Sequence, residues 1–115
     1  MFKLLRRFLE LAVKPSEAVV TGYRQPLGYQ QISAATLAAS TALTLPTLGA
    51  GQSLGYVIVQ ANGGIVRWRD DGTAPTASVG MTIPDGGELN YVGDFTKIRF
   101  ILSTSAPVLD ISYYQ

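Results

Sequence analysis

The chain has 115 residues, no cysteine, no histidine, 47% hydrophobic against 15% charged side chains, and a formal net charge of +1. That length fits one domain, able to bury roughly two thirds of its surface, and the missing residue types exclude disulfides, thiolate metal sites and histidine chemistry. Lys3, Arg6, Arg7 and Lys14 against Glu10 give residues 1–14 a charge of +3, whereas 5 basic and 7 acidic side chains leave the remainder at −2, too acidic for a general nucleic-acid surface.

In the leader, MFKLLRRFLELAVK, polar residues at 3, 6, 7, 10 and 14 fall on one face of a helix and leave Phe2, Leu5, Phe8, Leu9 and Ala12 on the other. Glu10 and Lys14 make a favourable i,i+4 pair, and Pro15 stops the run. A helix of about fourteen residues is marginal alone in water, so its apolar face is expected to dock. Arg6, Arg7 and Glu10 interrupt any signal-peptide core, and the run is too short to span a bilayer. A membrane-surface anchor is one use of such a helix; packing on its own domain or on a neighbouring subunit is the expected one.

Residues 16–32, SEAVVTGYRQPLGYQQI, show no sustained period and read as an extended connector. A segment this long suggests an arm lying across another surface, with Tyr23, Arg24 and Tyr29 as contacts beside those of the leader. The chain thus divides into a helix and arm, 1–32, and a domain, 33–115. Within 33–44 alanine favours a helix and threonine a strand, and a strand is expected from about Ala42 until Pro46 and Gly49 end it.

The segment Tyr56–Arg69, YVIVQANGGIVRWR, reads as two paired strands, because Ala61-Asn62-Gly63-Gly64 can supply the positive φ angles of a tight hairpin. Alternation puts Val66 and Trp68 inward and Arg67 and Arg69 outward. Turns at Asp71-Gly72 and Asp85-Gly86-Gly87 bracket short strands at 78–83 and 88–92. Ile98 and Phe100 mark the inward face of a strand at 96–103, and Leu109 and Ile111 that of a last strand at 108–114. Six or seven short strands with regular turn signals describe an all-β sandwich or barrel.

The carboxylates Asp70, Asp71, Asp85, Glu88 and Asp94 sit in or beside turns, where side chains accept backbone hydrogen bonds, and no calcium loop is spelled out. Arg67-Trp68-Arg69 would suit a base or a sugar only if all three pointed outward, which strand alternation forbids. The simplest fate of the arginines is pairing with Asp70, Asp71 or a neighbour's carboxylate.

The stretch VRWRDDGTAPTASVGM, residues 66–81, together with ALTLP, YVIVQ, KIRFI and LDISYY, resembles a group of small tailed-bacteriophage virion proteins over about residues 42–115. The resemblance implies a single β-sandwich of jelly-roll character in a virion, a capsid decoration or cement protein most of all, with a place at the head-to-tail junction or in the tail as the variant. It brings no catalytic residue, metal or cofactor. The expected partners are the major capsid protein or other virion proteins, and a second or third copy of the chain in a dimer or trimer on the capsid exterior, with neither nucleic acid nor membrane bound. The alternative from another class is a glycan- or receptor-binding tail module, its shallow site built from exposed Tyr, Trp and Asp.

Overall fold

The structure is a computed structural model that describes residues 23–115. The helix expected in the leader, and with it Phe2, Leu5, Phe8 and Leu9, lies outside the described residues. The strands are β1 (Pro26–Ile32), β2 (Thr41–Ala42), β3 (Tyr56–Arg69), β4 (Met81–Ile83), β5 (Glu88–Tyr91) and β6 (Arg99–Tyr114). All six join one antiparallel sheet, so the described chain is all-β.

Two long strands carry that sheet. β3 and β6 pair from Tyr56↔Tyr114 to Arg69↔Arg99, and short strands complete each end, in the order β1-β6-β3-β5 at one and β2-β6-β3-β4 at the other. The hairpin expected inside Tyr56–Arg69 does not form. Gly63 does take a positive φ of 95°, and Ser105 opposite takes 58°, but these angles serve a corner instead of a reversal. Between the pairs Asn62↔Val108 and Val66↔Leu102 the register slips twice, each time with an extra residue on β6. Bulges bend a strand and sharpen its twist. What selects the corner is β6, which offers both halves of β3 one continuous partner. The strands expected at 96–103 and 108–114 merge for the same reason, with Pro107, which has no N–H to donate, placed at the irregularity.

The phase of burial changes across the corner. Inward residues on β3 pass from Val57, Val59 and Ala61 to Val66, and on β6 from Phe100 to Leu109, Ile111 and Tyr113. Both ends therefore turn an apolar face to one core. Tyr91, which pairs with Val57, measures the bend. Along a straight strand Val57 and Trp68 would lie about 36 Å apart at ~3.3 Å per residue. The Trp68 and Tyr91 rings are 5.9 Å apart at 70°, and the Tyr91 hydroxyl donates to Asp70 Oδ2 at 2.7 Å. The sheet is folded over on itself.

Val66, Ile98, Phe100 and Leu109 are fully buried and Ile111 nearly so. Trp68, read from sequence as a core residue, is half-buried and packs against the core from its margin. The strand expected from about Ala42 to Pro46 does not form; pairing stops at Ala42, the end of the two-residue β2, which follows a 3-10 turn, Thr36–Ala38, that buries Leu37. The strand expected at 78–83 shortens to β4 behind a Thr76↔Val79 bridge.

The arm expected through residue 32 ends sooner. Pro26–Ile32 is an edge strand of the domain's own sheet, paired from Pro26↔Tyr114 to Ile32↔Leu109, so the boundary at 32/33 falls after a strand that belongs to the domain. Its pattern was hidden because one inward position is polar. Gln30 Oε1 accepts the Tyr113 hydroxyl at 2.6 Å and the Thr44 N–H at 3.0 Å. Burial pushes the Tyr113 hydroxyl up to about 12, so it is a permanent donor. Gln30→Leu strands that hydroxyl and is expected to cost about 2 kcal/mol, against about 1 kcal/mol for Tyr113→Phe, which removes the donor itself. Urea titrations of both variants check the order; a Gln30→Leu protein as stable as Tyr113→Phe contradicts it.

Candidate functional site

The outward face of the β1-β6-β3-β5 end is polar and aromatic. Register sets Tyr29, Ser112, Ile58 and Asn90 in one row and Gln31, Asp110, Gln60 and Glu88 in the next. A third row stands Tyr56 beside Tyr114, with rings 5.8 Å apart. The Arg24 guanidinium lies 4.9 Å from the Tyr56 ring centre, and the Tyr56 hydroxyl donates to Asn90 Oδ1 at 2.6 Å. Each position follows from alternation: the side chains between these, from Val57 to Tyr113, fill the core.

Asp110 is the centre of this face. Its Oδ1 accepts the Tyr29 hydroxyl at 2.6 Å and Gln31 Nε2 at 3.0 Å, while Oδ2 accepts Asn62 Nδ2 at 2.9 Å. The Tyr29 bond, then the Gln31 bond, hold its carboxyl below the usual carboxylate range, and the same Tyr29 bond pushes that phenol up. A groove of about 190 Å³ runs beside it, lined among others by Tyr29, Ile58, Gln60, Glu88 and Ser112. Tyr29 is 60% exposed at its rim.

A second groove, about 310 Å³, lies at the other end between Arg69, Asp70 and Asp71 and the segment Val79, Gly80 and Met81. Val79 and Met81 are 53% and 60% exposed. The loop behind it is braced from within. Arg69 grips Asp71 with two bonds, Nε at 3.0 Å and a second from Nη2, and the Asp71 carboxyl is lowered, chiefly by that pairing. Arg67 donates Nε to the Ala77 carbonyl at 3.1 Å and Nη1 to that of Gly80 at 2.9 Å. Ser103 Oγ donates to the Ala77 carbonyl at 2.6 Å.

The residues singled out in the sequence divide as follows. Asp70, Asp71, Asp85 and Asp94 hold local structure through Tyr91, Arg69, the Gly63 N–H at the corner and Thr96. Glu88 is different, since its strand turns it outward onto the Asp110 groove. Arg69 pairs with Asp71 as expected, but Arg67 binds carbonyls instead of a carboxylate. Tyr29 reaches Asp110, Arg24 reaches Tyr56, and Tyr23 is simply exposed. No group of three or more carboxylates suited to a metal ion occurs among the described residues. Asp110, Gln60 and Asn90 were not foreseen; their signal is the set of polar residues out of phase with the core in YVIVQAN, ELNY and LDISYY. No protein family, no curated protein and no solved structure matches this chain.

Proposed function

We propose that this chain is a non-enzymatic virion structural protein, a capsid decoration or cement protein that sits on the shell exterior and clamps neighbouring capsid subunits. In this reading the folded-over sheet is a small sandwich of jelly-roll character, present as a dimer or trimer, and the leader reaches across a neighbour. One observation carries the proposal. Residues 66–81, the stretch whose sequence resembles the virion proteins, run from the end of β3 through the braced loop to the start of β4, and present two exposed apolar side chains, Val79 just before that short edge strand and Met81 on it. Strand edges and apolar patches are where a second chain adds on, and the internal bonds keep the loop ordered before contact, which lowers the cost of binding.

The test uses purified particles of the virus that encodes the chain, stripped of this protein and then refilled. The full chain is expected to return at high copy, a chain lacking residues 1–22 to remain folded but wash off, and Met81→Asp to bind measurably more weakly. Full occupancy by both altered forms, or only a few copies per particle with the full chain, would overturn the assignment.

A further inference from the structure

We propose that the outward face of β1, β6, β3 and β5 binds a neutral sugar, with Tyr29 and Asp110 as its centre. The inference is independent of where the protein sits on a particle. It also differs from a site built around Trp68, whose ring is turned to the core and to Tyr91.

A sugar ring offers one weakly apolar C–H face and an edge of hydroxyls that both donate and accept. Tyr29 supplies an exposed aromatic surface, and its hydroxyl bond to Asp110 fixes where the ring stands beside the groove. A carboxylate has about four acceptor positions. The bonds from Tyr29, Gln31 and Asn62 occupy three on Asp110, which leaves one on Oδ2 for a hydroxyl donor. Gln60, in register between Asp110 and Glu88, adds an amide that donates and accepts, so hydroxyls on one sugar edge find both kinds of partner.

Charge selects the sugar class. Asp110 and Glu88 line the groove and no cation does, so phosphorylated, sulfated or sialylated ligands are repelled and neutral ones are not. Size limits the affinity. At about 190 Å³ the groove is smaller than the ~300–1,000 Å³ clefts that enclose a drug-sized ligand; it suits one ring laid on a surface. Weak binding at one face becomes useful when copies are arrayed, because linked sites multiply avidity. A protein partner fits less well, since six of the eight side chains in the two outward rows, all but Tyr29 and Ile58, are amide, hydroxyl or carboxylate groups, and the cores of protein interfaces are depleted in charge.

The test is a saturation-transfer NMR titration of the full chain with neutral oligosaccharides ending in galactose, glucose, mannose or rhamnose, and with sialylated and sulfated controls. At least one neutral sugar is expected to bind, with its ring protons saturated from tyrosine. Tyr29→Ala and Gln60→Ala should each weaken that binding by about tenfold, whereas Tyr29→Phe, which keeps the ring, should hold it within about threefold. Circular dichroism of each variant confirms that the sheet persists. Absence of binding by every neutral sugar at millimolar concentration, equal binding of the acidic controls, or Tyr29→Ala binding like the parent would overturn the proposal.

Discussion

Replacing Gly64 by alanine is expected to lower stability by about 3 kcal/mol and to loosen the corner on which the fold turns. A Cβ there would overlap the Thr104 carbonyl oxygen and lie 3.0 Å from Pro107 Cδ and 3.2 Å from Ser105 Cβ. A backbone oxygen and a proline ring cannot rotate aside, so relief requires β3 and β6 to separate where their register already slips. For a domain of this size the loss should lower the melting temperature by roughly 12–24 °C. Gly28→Ala is the control, because its Cβ meets only Pro46 Cβ at 3.4 Å and should change stability by less than about 0.5 kcal/mol. The single tryptophan makes the readout local. Trp68 touches Tyr91 only because the sheet bends, so its near-ultraviolet signal should fall in Gly64→Ala before the far-ultraviolet sheet signal does. Equal melting temperatures for the two variants would show that the corner tolerates a side chain.

That corner also marks where sequence reasoning stops. Phe100 and Leu109 with Ile111 were legible because one face of β6 is buried, which forces a period of two, and Ile98, just before that strand, keeps the same phase as Phe100. Asn62-Gly63-Gly64 was misread because positive φ serves a bulge as well as a hairpin turn. The choice between them is made by β6, far along the chain, and local chemistry carries no trace of it. β1 was missed through Gln30, a polar residue at an inward position whose partner, the Tyr113 hydroxyl, comes from the opposite terminus. The outward face failed for the same cause. Tyr29, Gln60, Glu88 and Asp110 look like scattered surface residues until strand register lines them up.

Removing residues 1–32 is expected to cost on the order of 5 kcal/mol, whereas, on the proposal that the leader reaches to a neighbour, removing 1–22 should leave the melting temperature of the sheet domain unchanged. The longer deletion takes away β1. Ile32 is buried and Leu27 packs on the core, and losing that apolar cover costs about 3–4 kcal/mol. Tyr113 exchanges its Gln30 acceptor for water, which costs about 1 kcal/mol more. The sum rivals the ~5–15 kcal/mol total stability of a typical domain. It also bares β6 from Leu109 to Tyr114 as a new edge with unpaired N–H and C=O groups, the setting in which strands aggregate. Size-exclusion chromatography with a thermal melt checks both truncations. The shorter should elute as the parent domain does and melt alike, the longer should aggregate or fail to melt cooperatively. A folded, soluble 33–115 fragment with the parent's melting temperature would return Pro26–Ile32 to the status of a detachable arm. The contrast also governs any particle-binding experiment, because only the chain that begins at Tyr23 separates loss of grip from loss of fold.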